Sequence, residues 1–371
     1  MLCLGINGLR RCVLLKDYDG TTYEVETPLS SKVNYEEIRK DLEVPDYVDK
    51  LSFHMERGLV TVWAGLNAHR IGELFPTFAT QKAVKKPIPV LFFGGAAVRM
   101  LSRSANYPSS PFFRELNDID LIAPKSRAQD LYKLLLALGD LCGTRYYHFV
   151  ARSDCRFNAM RAGKRYRMRT VERICEDGSV QCGVLDIFTD SIDLRHRVDV
   201  REMFNFPKGN TYTIGINNVL LTKCQYIFDV PASSRDGLVR HRLDYRILNY
   251  PHYRSDRLLI GIEEKDMKDL CALFLDHEIG EEKGNIDLDK IHRILEKDKK
   301  FAITFRLNLE NMLRNENMLR EIGVPNADIT KILSRIQNVL DAIPKVDKKW
   351  SNPWWNVDVE TPQIFGKAMC A

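Results

Sequence analysis

The passage from Val90 to Leu121 narrows the possible folds more than any other part of the chain. Val90-Leu91-Phe92-Phe93 is wholly apolar, as a short strand covered on both faces must be, and it stops at Gly94-Gly95. Ala96 to Ser102 then reads as a helix, and Ile119 to Ala123 as a second strand. Within Asn117-Asp118-Ile119-Asp120-Leu121, alternation puts Asp118 and Asp120 on one side of that strand and Ile119 and Leu121 on the other. Two carboxylates so spaced repel each other unless a cation lies between them, which points to a divalent metal. Magnesium fits, since it prefers oxygen ligands and bridges protein carboxylates to phosphates. The double glycine lets backbone approach a phosphate, and the helix start beyond it offers free N–H groups. Taken alone, Asp-x-Asp is also what an exposed strand edge after a turn looks like.

A third carboxylate is expected on a neighbouring strand. Val184-Leu185-Asp186-Ile187-Phe188 supplies Asp186, a single acid in an apolar run that needs a cation or several donors if buried. Asp190 and Asp193 are weaker candidates and read as solvated loop residues. Residues 165–175 and 180–188 bracket Glu176-Asp177-Gly178-Ser179, a hairpin signal. Ser126 is placed to cap a helix with the apolar stripe Leu131, Leu134, Leu135 and Leu138. The predicted class is therefore α/β (α+β), a small mixed sheet over residues 89–214.

Around this core the pattern changes. Residues 1–88 form a mixed α+β extension, with a hairpin turn at Asp19-Gly20 and a short helix over Tyr35 to Leu42. Lys85-Lys86-Pro87-Ile88-Pro89 punctuates the chain at the boundary. Helical spacing dominates 215–345, over Asn217 to Phe228, Glu263 to His277, Leu288 to Glu296 and Lys299 to Asn315. The tail, 346–371, gathers Trp350, Trp354 and Trp355 around Pro353. It reads as an arm packed on its own protein or as one that docks a partner.

The order Gly-Gly at a helix start, Asp-x-Asp, then a third acid resembles the DNA polymerase beta-like nucleotidyltransferase superfamily. Asn218-Val219-Leu220-Leu221-Thr222-Lys223, followed by Lys265-Asp266-Met267-Lys268-Asp269-Leu270, is similar to a signature in the helical half of bacterial nucleotidyltransferases, abortive-infection type toxins among them. The resemblance covers about 88–315. It implies that Asp118 and Asp120 hold two magnesium ions, that Asp186 shares one, and that all three are catalytic. It implies nucleotide binding by Gly94, Gly95 and Lys223, with Asp266 orienting that lysine and Asp269 tying the helix to its neighbours. Arg99 is a weaker nucleotide contact that could equally brace its helix. Without the resemblance, Lys223 is a lysine on an amphipathic helix.

Residues 156–173 carry seven cations, Arg156, Arg161, Lys164, Arg165, Arg167, Arg169 and Arg173, against one acid, Glu172. Arg165, Arg167 and Arg169 fall on one strand face, which suits nucleic-acid backbone, a triphosphate or plain solvation. The whole chain, with 55 Lys+Arg against 50 Asp+Glu, is too mildly basic to decide among these. Nine scattered cysteines without a Cys-x-x-Cys pair argue against a disulfide framework or structural zinc and for a reducing, cytoplasmic setting. No apolar run is long enough for a membrane helix. The expected activity is magnesium-dependent transfer of a nucleotide from an NTP such as ATP to a hydroxyl of RNA or tRNA, protein or a small molecule. A toxin held by a cognate antitoxin fits that expectation. The alternative is an inactive nucleotide- or RNA-binding protein on the same fold.

Overall fold

The computed structural model describes residues 90–132, 151–174, 180–204, 213–346 and 350–357, apart from short breaks, and the backbone of three strands between 2 and 28. Those three, β1 (Leu2–Gly5), β2 (Gly8–Lys16) and β3 (Thr22–Pro28), pair antiparallel, with Lys16 opposite Thr22 across the expected Asp19-Gly20 turn. The helix expected over Tyr35 to Leu42 lies outside the described residues.

A seven-stranded mixed sheet carries both strands of the Val90–Leu121 passage. Its strands are β4 (Leu91–Phe93), β5 (Asp118–Ala123), β6 (Ala151–Ser153), β7 (Arg165–Ile174), β8 (Val180–Thr189), β9 (Ser191–Asp193) and β10 (Arg197–Asp199). β8 lies at the centre, parallel to β5 and antiparallel to β7. β4 lies antiparallel to β5 beyond it, and β6 antiparallel to β7. Phe92, Phe93, Leu121, Ile122, Leu185 and Ile187 are buried, so the apolar runs went where a strand covered on both faces would take them. β7 and β8 are the predicted hairpin.

Registers decide what meets. Phe93 faces Asp120, Asp120 faces Asp186 and Asp186 faces Arg167, so one row crosses β4, β5, β8 and β7. The adjacent row sets Arg169 and Asp118 on either side of Val184. Cross-strand neighbours lie on one face, and both carboxylates of β5 therefore share a face with Asp186.

The helices are α1 (Gly94–Leu101), α2 (125–132), α3 (Cys155–Arg161), α4 (Ile216–Lys223), α5 (Glu264–Asp276), α6 (Leu288–Lys297), α7 (Lys299–Arg314), α8 (Glu316–Glu321) and α9 (Asn326–Ala342). α1 packs against both α4 and α5, and α4 against α5, which brings the helical half to the Gly-Gly turn. Asp287 and Asp298 cap α6 and α7 by accepting from the N–H groups of Lys290 and Phe301. Arg335 of α9 donates to the carbonyls of Phe274 and Leu275 at the end of α5, where a cation suits the helix dipole.

Two expected boundaries move. α2 starts at 125, not after Ser126: Pro124 accepts from Arg127 and Ala128, and the carboxylate of Asp190 accepts from Lys125 N–H. Asp190 is thus a capping group at a left-handed turn (φ 57°) rather than a solvated loop residue. α4 ends at Lys223 instead of Phe228, because Asn308 of α7 donates to the carbonyls of Cys224 and Tyr226. Phe228 then begins β11 (Phe228–Pro231), which pairs with β14 (Arg257–Ile260) beyond the short β12–β13 pair at Val239–Arg240 and Leu243–Asp244.

The tryptophan segment lies on its own protein. Trp354 and Trp355 are buried with Tyr253, Ile227, Ile247 and Leu307. Trp354 Nε1 donates to Thr304 Oγ1 over 3.0 Å, and Arg195 and Asn356 bond each other's backbone groups at 2.9 Å. No helix among the described residues is long and apolar enough to cross a membrane.

Candidate active site

The site begins at the end of β4. Gly94 has φ 64°, a left-handed conformation that side chains rarely adopt, and a Cβ there would overlap Oδ2 of Asp120. A Cβ on Gly95 would lie 2.7 Å from Cδ2 of Leu116 and would press on the Arg114 guanidinium. The double glycine therefore admits the Asp120 carboxylate on one side and Arg114 on the other. Phe93 at the N-cap makes no side-chain bond to the first turn of α1.

Asp118 is exposed at the rim, Asp120 half-buried below it, and Asp186 fully buried next to Asp120. Burial, followed by the charges of Asp118 and Asp186, holds the Asp120 carboxyl well above the usual carboxylate range, with Arg165 and Lys223 pulling the other way. The register sets Asp120 beside Asp186, with Asp118 two residues along the same face of β5.

Asp186 is nevertheless not free to act as expected. Arg167 grips it with Nε and Nη2, both at 2.9 Å, and Arg165 donates to its Oδ2. Burial would push this carboxyl up; the charge of Arg165 and the bonds from Arg167 outweigh that and hold it low. Among the described residues no three His, Cys, Asp or Glu side chains are arranged to hold a metal ion. Asp118 and Asp120 offer oxygen donors on one face, as magnesium prefers, whereas Asp186 is already neutralised.

The same bonds correct the reading of the basic strand. Arg167 is buried and Arg165 nearly so, stacked against Phe157 and Phe188, so these two serve Asp186 rather than a nucleic-acid backbone. The side chain of Arg169 lies outside the described residues. Arg99, expected at the nucleotide, is 3% exposed, lies 4.4 Å over the Phe113 ring and donates to the Arg114 carbonyl. It braces the loop after α1.

Lys223 enters the site from the last turn of α4. Its Nζ is 3.0 Å from Asp266 and 2.7 Å from Asp269, and Arg114 reaches the Asp269 carboxylate with two nitrogens at 2.8 and 2.7 Å. Burial works against both charged partners. Asp269 and Asp266 nonetheless hold Lys223 above its usual range, and Lys223 with Arg114 holds Asp269 down at about 2. Arg114 and Lys265 both feel the charge of Asp118 across the site, and neither was singled out from sequence. Arg114 lies in an irregular stretch with no motif to mark it. Lys265 could have been found, since it opens the Lys-Asp-x-x-Asp run and its side chain is half exposed. Cys224 and Cys271 are free and buried beneath this network.

The chain matches no protein-family model, no curated protein and no solved structure.

Proposed function

We propose that the protein is a magnesium-dependent nucleotidyltransferase acting on an NTP. The observation that carries this reading is the convergence of three chain segments. Asp118 and Asp120 share a face beside Gly94, and Lys223 from the helical half reaches the same place through Asp266 and Asp269. The resemblance noted above predicts these residue types in this order. In the proposed reaction an acceptor hydroxyl oxygen bonds to the α-phosphorus and gives up its proton to water, the bond from that phosphorus to the bridging oxygen breaks, and pyrophosphate leaves.

Asp118 and Asp120 would hold the magnesium, which supplies charge stabilisation to the phosphate oxygens when bound. The N–H groups at the start of α1, with Gly94 and Gly95 giving access, would donate to phosphate oxygens. Lys223, fixed by two carboxylates, is positioned to add a fixed positive charge, and the half-exposed Lys265 a movable one. Asp186, held low by two arginines, is a poor base for the acceptor proton.

The test is incubation of the protein with each α-labelled NTP, magnesium and cellular RNA plus protein, beside the Asp118→Asn/Asp120→Asn variant. Label entering RNA or a protein band only with intact carboxylates supports transfer and names the acceptor class. One observation favours a second reading, a nucleotide- or RNA-binding protein without transfer: the engagement of Asp186 by Arg165 and Arg167. NTP binding without pyrophosphate release from any NTP or acceptor would establish it.

A further inference from the structure

Resting on that reading, we propose that Arg114 is a positioning residue. The connection from α1 to β5 braces α5, and through Asp269 Arg114 fixes where Lys223 stands relative to Asp118 and Asp120.

The brace has two anchors on α5. Ser104 donates to Asp276 Oδ2 with its backbone N–H at 2.7 Å and its hydroxyl at 2.8 Å. Arg114 donates to Asp269 with Nε and Nη2. Asp269 and Asp276 lie about two helical turns apart, so both anchors fall on one face of α5. The two differ in kind. The bonds to Asp276 lie at the surface, where they add little, whereas Asp269 is buried and its pair with Arg114 is bidentate.

Arg114 is itself held. Its carbonyl accepts from Arg99, whose guanidinium stacks on Phe113, and the missing Cβ of Gly95 makes room for the Arg114 guanidinium. Arg114 Nη2 and Lys223 Nζ each lie 2.7 Å from the same oxygen, Asp269 Oδ2. A carboxylate able to turn about its own torsions would carry Lys223 with it, whereas two parallel bonds make it a fixed post. Asp118 follows Arg114 by only four residues. One short length of chain thus delivers the β5 carboxylates and sets the lysine of the helical half against them. Arg114 acts here through bonds made within the protein, not through contact with the nucleotide.

The test is the affinity for a non-hydrolysable NTP analogue with magnesium, by titration calorimetry on the unaltered protein, Arg114→Lys, Lys223→Met and the double variant. Lysine keeps the charge beside Asp269 but cannot form the two parallel bonds. Arg114→Lys is expected to weaken binding about tenfold beside Lys223, and by less than about twofold in the Lys223→Met background, where nothing is left to position. Mn2+ affinity, read by electron paramagnetic resonance, should stay within about threefold throughout. Equal weakening in both backgrounds, or none beside Lys223, would overturn the inference and leave the proposed function standing. No analogue binding by the unaltered protein would overturn both. If circular dichroism shows that Lys223→Met does not fold, Arg114→Gln/Asp269→Asn decides. It conserves net charge and removes the fixed post, so about tenfold weaker binding is expected, and binding as tight as the unaltered protein's sinks the inference.

Discussion

Asp120 stands so close to Gly94 that a Cβ on Gly94 would clash with the carboxylate Oδ2. The glycine is therefore tied to the carboxylate as well as to its own left-handed backbone. Gly94→Ala is expected to cost about 1–2 kcal/mol for the backbone alone, and to displace the Asp120 carboxylate besides. Urea unfolding and Mn2+ binding should both weaken. A variant that keeps its Mn2+ affinity would show that the carboxylate does not need this approach.

Arg167→Gln should be among the most damaging single changes in the sheet. It strips the bidentate partner from a buried carboxylate, a loss that typically costs about 3–5 kcal/mol. Equilibrium unfolding reads the loss directly. Adding Asp186→Asn to it should recover only part, because no carboxylate then lacks its bidentate partner but Arg165 loses its counter-ion.

Asp269 has two cations, Lys223 and Arg114, so their removals are not independent. Lys223→Met and Arg114→Met are each expected to destabilise the protein. Together they should cost more than the sum, since only the second loss strands the carboxylate. A double-mutant cycle on unfolding free energies checks this, and strict additivity would mean that water or another donor replaces either cation.

His196 is buried against Phe301, with its Nε2 at 2.8 Å from the Thr304 hydroxyl that also receives Trp354 Nε1–H. Burial holds its pKa down to about 4, against 6.5 for the free side chain. Between those values the unfolded chain binds the proton and the folded chain does not. Its contribution is thus present in full above pH 6.5 and is lost as the pH falls toward 4, by about 3 kcal/mol in all. Asp269, lowered to about 2, adds a second loss as the pH falls from 3.8 toward 2. Tryptophan emission during acid unfolding should report the first step, and His196→Gln should remove it.

Periodicity and punctuation made much of the scaffold legible. The β4–Gly-Gly–α1 unit, the β7–β8 hairpin and three of the four long helical runs follow from local patterns that the fold had no reason to override. What stayed hidden depends on register or on distant side chains. Arg165, Arg167 and Arg169 alternate as expected, but which acid they meet is set by the pairing of β7 with β8. That count slips between Val171 and Arg173, where the register is irregular. Arg99 is turned inward by Phe113, and α4 is cut short by Asn308, neither of which a local window contains. Asp118, Asp120 and Asp186 could be named because an acid inside an apolar strand is costly enough to need a reason. The arginines that answer Asp186 looked, by the same logic, like a surface.

The parallel pairing of β5 with β8 also sets an order of events during synthesis. In a parallel pair the two edges cannot meet through a tight turn, and Asp120 waits for Asp186 until the intervening chain and the whole of β8 have emerged. Lys223 waits longer, for Asp266 and Asp269. Every partial chain shorter than this lacks part of the constellation, so a ribosome-bound fragment carries the carboxylates of β5 without the means to use them. The constellation is completed by release of the helical half rather than by folding of the sheet.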